Sequence, residues 1–169
     1  SLLMLGASVS AMAQDGSLDS TFNPHGGAND GVYSMAVNGA GKIYVGGIFT
    51  AFNSTYYTGI LRLNADGSED KAFDAKAYGK VYAVKVQADG KVLIAGGSYT
   101  LNKGIARMNE DGTVDNSFNI GSGISGGEAY AIAIQKDGKI LVAGAFTMFN
   151  GTDAKKIVRL NPDGTRDTS

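Results

Sequence analysis

Three short strings carry most of the side chains that could do chemistry: LNADGSED, MNEDGTVD and LNPDGTRD. Each contains Asn-x-Asp-Gly-x-x-Asp, at Asn64/Asp66/Asp70, Asn109/Asp111/Asp115 and Asn161/Asp163/Asp167. Oxygen ligands gathered on one tight loop are what calcium takes, so a calcium reading stands beside a structural one. The EF-hand pattern is not met, because its distal Glu is absent. The structural reading accounts for the same residues more simply. Asp bonds the backbone of its own turn, Gly takes the positive-φ position, and the second Asp leads into the next strand.

The other candidates also recur. Arg62, Arg107 and Arg159 each precede such a turn, and Lys42, Lys91 and Lys139 each follow another. A repeated Arg could bind an anionic ligand, but pairing with the repeated carboxylates, such as Asp70 or Asp115, across a hairpin is the more economical role. Tyr33, Tyr82 and Tyr130 recur in step, as do Phe49, Tyr99 and Phe146. Aromatics can stack on sugars, yet residues present in every unit more often serve its packing. Catalysis lacks a constellation. The single histidine, His25, lies in NPHGGANDG with no nucleophile motif nearby, there is no cysteine, and no phosphate-binding, dinucleotide or zinc motif is present. No catalytic residue, metal or cofactor is therefore expected. Carboxylate pairs could still serve an extracellular polysaccharide-active enzyme, which is the alternative to a binding module or a passive scaffold.

The elements that must position these groups form a repeat. GKIYVGGIFT at 41–50 returns as GKVLIAGGSYT at 90–100 and GKILVAGAFT at 138–147. Extended outward, the copies run 32–74, 81–119 and 129–169, an interval of roughly 49 residues. An orphan tail piece, DGSLDSTFN at 15–23, precedes them as an outer strand. Each copy predicts four short strands. The first alternates large and small residues, with Tyr82, Val84 and Val86 expected on one face. The second, such as KVLIAG, is apolar on both faces and so must be covered on both. Asp-Gly turns join strand one to two at 88–91 and 136–139, and strand three to four at 65–68, 110–113 and 162–165, the strongest short hairpin signal. The fold class predicted is all-β, with about three four-stranded antiparallel meanders stacked as propeller blades in 14–169, a fragment of a larger propeller. A β-solenoid or a sandwich is the competing architecture.

The strings GSLDSTFN, VYAVKVQADGKVLIAGG, FTMFNGT and IVRLNPDGT resemble the delta-60 repeat, or DUF5122, β-propeller family of bacterial secreted proteins. The resemblance spans essentially 15–169. It implies a β-propeller and brings no established catalytic residues with it. WD40 and kelch repeats fit less well, since both use tryptophan signatures and this chain has no Trp.

SLLMLGASVSAMAQ ends its apolar run in Ala11-Met12-Ala13, a signal-peptidase pattern. Residues 1–13 are read as a signal-peptide remnant, which predicts a secreted or cell-surface protein with no membrane span in the mature chain. A net charge of -1 gives no electrostatic footprint for nucleic acid. The short turns are uniform, whereas two loop classes vary: AFNSTYYT, LNK and MFNGTDA between strands two and three, and PHGGANDG, AKAYGK and IGSGISGGE between blades. Both emerge on one face of an up-and-down blade, where repeat proteins place binding surfaces. Asn53, Tyr56, Tyr57, Asn150 and Asp153 are the ligand-binding candidates, for a protein or glycan partner. Further repeats of the same chain, or self-association, are expected to cover the apolar faces of the end blades.

Overall fold

The computed structural model describes residues 19–22, 25–75, 79–97 and 103–169. The signal-peptide segment, most of the orphan tail, and Tyr99 with most of its loop lie outside the described residues. The first unit holds β1 (Val32–Val37), β2 (Ile43–Gly47), a miniature hairpin of β3 (Ala51–Phe52) and β4 (Thr55–Tyr56), and β5 (Ile60–Leu63). The second holds β6 (Val81–Val86), β7 (Val92–Gly96) and β8 (Ile105–Met108). The third holds β9 (Ile124–Ser125), β10 (Ala129–Ile134), β11 (Ile140–Gly144), β12 (Met148–Phe149), β13 (Thr152–Asp153) and β14 (Ile157–Leu160). Among the described residues no helix is long and apolar enough to cross a membrane.

Among the described residues, two small sheets, β3-β4 and β13-β12-β9, lie beside three antiparallel blade sheets ordered β1-β2-β5, β6-β7-β8 and β10-β11-β14. They stack as blades, with β6 packed between β1 and β10. The fourth strand of each unit is shorter than the sequence suggests. It is a single antiparallel bridge, Leu63↔Glu69, Met108↔Val114 or Leu160↔Arg166. The chain leaves the sheet one residue later because Asp70, Asp115 and Asp167 turn it. Their Oδ1 atoms accept from the backbone N–H of Ala72, Ser117 and Ser169 at 3.0–3.1 Å. Asp19 accepts likewise from the Thr21 N–H at 2.9 Å. The described end of the orphan tail thus repeats the same turn.

The cores lie between blades. Tyr44 and Ile60 of the first blade meet Val81, Val84, Val92 and Ile94 of the second. Leu93, Ala95 and Ile105 of the second meet Ala129, Ile132, Ile140 and Val142 of the third. The middle blade's second strand, β7, is therefore covered on both sides, as its unbroken apolar run requires. Strand one does not follow the simple alternation. A register shift falls between Val32 and Ser34, Val81 and Ala83, and Ala129 and Ala131. Tyr33, Tyr82 and Tyr130 are thus the extra residue of a β-bulge in each blade, which re-aims their side chains. Val81 and Val84, three apart, consequently face the same neighbour. The tyrosines do not enter the core as expected. They pack on one another across blades, with ring centroids 5.5 and 5.3 Å apart. Phe49 and Phe146 do enter it, both essentially inaccessible.

Blade spacing at one point is set by Gly46. A Cβ there would lie 2.6 Å from Val84 Cγ2 and 2.7 Å from Val81 Cγ1, inside contact distance. Gly46→Ala is expected to cost about 1–3 kcal/mol as overpacking, measured as a lowered urea midpoint with unchanged slope. A wild-type midpoint would mean that the first two blades move apart without cost.

Candidate functional site

The repeated charges form one motif in each blade. Asp70 Oδ2 lies 2.9 Å from Lys42 Nζ and 2.8 Å from Arg62 Nε. Asp115 Oδ2 lies 2.8 Å from Lys91 Nζ and 2.7 Å from Arg107 Nε. Asp167 is held by Lys139 and Arg159 in the same way. The Arg thus pairs across the hairpin, with the Lys as a second partner. It also reaches the next blade: Arg62 Nη1 donates to Glu110 O and Arg107 Nη1 to Pro162 O, both at 2.6 Å. Burial would raise the Asp115 carboxyl, but the Lys91 ammonium, the Ser117 hydroxyl and the Arg107 guanidinium outweigh it and hold it well below the usual carboxylate range. These residues are structural staples.

The Asn-x-Asp-Gly turns close on themselves. Asp66, Asp111 and Asp163 each accept from the backbone N–H two residues on, and from the Ser or Thr hydroxyl there at 2.6–2.7 Å. The glycine of the second turn has a further duty. A Cβ on Gly112 would sit 2.7 Å from Ala75 N, at a backbone φ of +89°. Among the described residues no three His, Asp or Glu side chains gather to hold a metal.

The variable loops are organised differently. In the first blade β3 and β4 flank Asn53 and Ser54, and in the third β12 and β13 flank Asn150 and Gly151. All four turn residues have positive φ, between 47° and 72°, as the I′ hairpin turn requires. Asn is suited to that region. Asn53 Oδ1 accepts from the N–H of Gly26 and Gly27 at 2.7 and 2.8 Å. Asn150 Oδ1 accepts from the Ser122 N–H at 3.1 Å. Phe52 and Phe149 are buried beneath. Each hairpin is thereby tied to the loop entering its own blade: Ala28 bridges Phe52, and β9 pairs with β12. In the first and third blades the two variable loop classes do meet on one face.

The five sequence candidates consequently divide. Asn53 and Asn150 hold the face together with the oxygens that a ligand would otherwise use. Asp153 is exposed, and its Oδ1 accepts from the Lys155 N–H at 3.1 Å. Asn150 and Asp153 sit on the third blade, and Asn53, Tyr56 and Tyr57 on the first, so the five do not converge on one point. Tyr56 is 76% exposed. Beside it Tyr57 donates its hydroxyl to Glu69 Oε2 at 2.6 Å, and Lys71 pairs with Glu69. Burial and the acceptor Glu69 raise the Tyr57 hydroxyl above its ordinary value. A depression of about 260 Å³ lies here, lined by Thr55, Tyr56, Tyr57, Thr58, Lys71 and Asp74 among others. Tyr56 and Thr58 also wall a second depression, with Asp30, Thr50 and Lys80. Sequence reasoning missed Glu69 and Lys71. A signal was present, because the matching positions of the other copies hold Val114 and Asn116, then Arg166 and Thr168.

Residues 41–73, 87–118 and 135–169 match the family described as a domain of unknown function (DUF5122) beta-propeller. The chain belongs to that family. The DUF5122 matches take in the Lys–Arg–Asp staples and their Asp-Gly turns, and the first of them also spans the Tyr56–Tyr57 hairpin. No curated protein matches the chain. Among solved structures it is similar to virginiamycin B lyase from Staphylococcus aureus, with 20% identity and a TM-score of 0.47 over 81% of this chain and 40% of that one. It is also similar to the extracellular domain of the putative one component system BT4673 from B. thetaiotaomicron, with 15% identity and a TM-score of 0.48 over 89% and 19%. A protein of unknown function from Bacteroides caccae matches at 16% identity and a TM-score of 0.43 over 82% and 59%. The chain spans two fifths or less of the first and second of these proteins.

Proposed function

We propose that this DUF5122 chain is a secreted, non-enzymatic propeller module that binds a glycan or protein partner through the loop face of its first blade. Tyr56 carries the reading. A large aromatic side chain, 76% exposed, stands between two shallow depressions edged by hydroxyls, Lys and Asp. An exposed aromatic flanked by polar groups supplies apolar contact area with hydrogen bonds to fix orientation. The non-repeating cluster of Tyr57, Glu69 and Lys71 lies on the β5 side of its sheet, away from β1, and its carboxylate and ammonium are already paired. That arrangement supports a rigid binding edge rather than a proton-transfer site.

The test is a screen of the chain on an array of soluble polysaccharides and on a peptide library, followed by titration of the hit. Tyr56→Ala is expected to weaken binding by about 2 kcal/mol, roughly thirtyfold. Wild-type affinity in that variant would move the site elsewhere, and turnover of the hit would favour the polysaccharide-active alternative. Secretion rests on the Ala11-Met12-Ala13 pattern, and N-terminal sequencing of exported protein should begin at Gln14.

A further inference from the structure

The bulge tyrosines form a rail inside the stack. Tyr82 lies between Tyr33 of the first blade and Tyr130 of the third, with ring centroids 5.5 and 5.3 Å apart. Each stands second in the first strand of its blade, and those strands, β1, β6 and β10, pack on one another across the stack. Each of these strands begins where an inter-blade loop enters, so the rail lies at the loop face. Tyr82 has a ring on either side and is still only half-buried. Its hydroxyl donates to the carboxylate of Glu128, in the loop entering the third blade, and burial with that acceptor raises the hydroxyl above its ordinary value. The middle ring of the rail is thus held in place from both neighbouring blades.

A depression leads from this rail to the exposed Tyr56. It measures about 420 Å³, and Tyr56 and Thr58 wall it on one side, with Gly79 and Lys80, which lead into β6, on the other. Lys80 stands two residues before Tyr82, and Asp30, also on this wall, three before Tyr33. The depression therefore lies over the junction of the first and second blades, between the Tyr56 hairpin and the Tyr33–Tyr82 pair. Its charges balance. Each depression beside Tyr56 carries one cation and one anion, Lys80 with Asp30 and Lys71 with Asp74. All four are already engaged within the chain: Asp30 Oδ1 accepts from the Gly31 N–H at 2.7 Å, Lys71 pairs with Glu69, and Lys80 and Asp74 hold partners of their own. Much of the remaining lining consists of Thr hydroxyls and tyrosine rings.

Taking Tyr56 as the binding residue proposed above, we infer that this face takes an unbranched, uncharged glycan chain, laid from Tyr56 through the depression at the first junction onto Tyr82 and its neighbours in the rail. A charge-balanced lining gives an ionic ligand no net attraction. A sugar ring offers an apolar face to an aromatic ring and hydroxyls at its rim to Thr, Asp and Lys, and both kinds of group are present here. Two aromatic stations joined by a depression suit a polymer of repeated units, whose second contact becomes intramolecular once the first is made. A folded protein partner would instead seat a buried anchor in a deep pocket, and both depressions are shallow.

The test is calorimetric titration of the chain with unbranched glucose and mannose oligomers, from disaccharide to octasaccharide, and with oligogalacturonates of the same lengths as charged counterparts. Affinity for an uncharged series should rise with length beyond the trisaccharide, and the galacturonates should bind more weakly. Tyr56→Ala should weaken every length. Tyr82→Ala should leave the disaccharide at wild-type affinity and weaken the octasaccharide about tenfold, the scale of one aromatic contact. Far-ultraviolet circular dichroism checks that Tyr82→Ala is folded, and the length series on the wild-type chain decides the matter without it. A flat length series, or an equal loss at every length in folded Tyr82→Ala, would overturn the contact at Tyr82 and leave the Tyr56 site standing. Failure of every uncharged oligomer to bind, or a preference for galacturonates, would overturn the class of ligand; a library peptide whose binding Tyr56→Ala abolishes would then keep the Tyr56 site alone. Wild-type affinity in Tyr56→Ala would remove both.

Discussion

Replacing Arg107 by Ala is expected to lower the unfolding free energy by about 3–5 kcal/mol, the range for removing one partner of a buried ion pair. Four contacts go together. Arg107 Nε holds Asp115, Nη1 reaches Pro162 O in the next blade, Nη2 reaches Ser117 Oγ at 3.4 Å, and the guanidinium lies 4.6 Å from the Phe118 ring centre. Arg107 and Asp115 are both buried, and the partner left to the carboxylate, Lys91, is only partly so. Lys at position 107 would restore the charge without the fork that spans two blades, so Arg107→Lys should recover only a minority of the loss. Arg159→Ala provides the comparison. Its side chain is 36% exposed and bonds to Ser169 instead of to another blade. Urea unfolding at low protein concentration should show a loss within about 1 kcal/mol there. Equal losses at 107 and 159 would mean that the inter-blade bond contributes nothing.

This contrast shows where sequence reading reached its limit. Recurrence of the Arg and Asp with fixed spacing made their pairing legible, because both lie in one hairpin and local spacing decides which side chains can meet. The bond from Arg107 to Pro162 was not legible, since it depends on the angle between two blades. The bulge at Tyr33, Tyr82 and Tyr130 was hidden for a related reason. VYAVKV alternates well enough to read as an ordinary strand, and the extra residue appears only as a register shift against the neighbouring strand. The fourth strand was overestimated because Asp70, Asp115 and Asp167 were read as strand residues, when their side chains bond the backbone and end the strand.

At the candidate site the loops vary in sequence, and residue type alone does not tell which of their side chains are already engaged. Asn53 and Asn150 look like ligand-binding amides, and both are occupied by backbone N–H groups of the neighbouring loop. What distinguishes the first blade is departure from the repeat. Glu69 and Lys71 replace an apolar and a neutral residue of the second copy, and they order Tyr57 beside the exposed Tyr56. In a repeat protein the positions that every copy shares hold the blades, and those that one copy changes are the ones available to function.

Acid should unfold this protein through the same staples. Burial would raise Asp70 and Asp115, but Lys42 and Lys91, with backbone or hydroxyl donors and Arg62 and Arg107, outweigh it and lower both carboxyls. Lys139, the Ser169 donors and Arg159 lower Asp167. A carboxyl lowered in the folded state stabilises that state fully above its unfolded value of about 3.9. The stabilisation is lost as pH falls through the lower folded value. The urea midpoint should thus be nearly flat from pH 7 to about pH 5 and fall steeply below about pH 4. Asp115→Asn removes one of the titrating groups and leaves Arg107 and Lys91 without their anion. Its deficit against wild type should be largest near neutrality and shrink as wild-type Asp115 protonates. Parallel curves down to pH 2.5 would mean that Asp115 binds its proton equally well folded and unfolded. The turn carboxylates Asp66, Asp111 and Asp163 are lowered chiefly by the hydroxyl and N–H two residues on. They are exposed, and that bond spans only two residues, so Asp111→Asn should leave the acid limb nearly unchanged. The acid limb therefore separates the carboxylates that join strands and blades from those that only shape a turn.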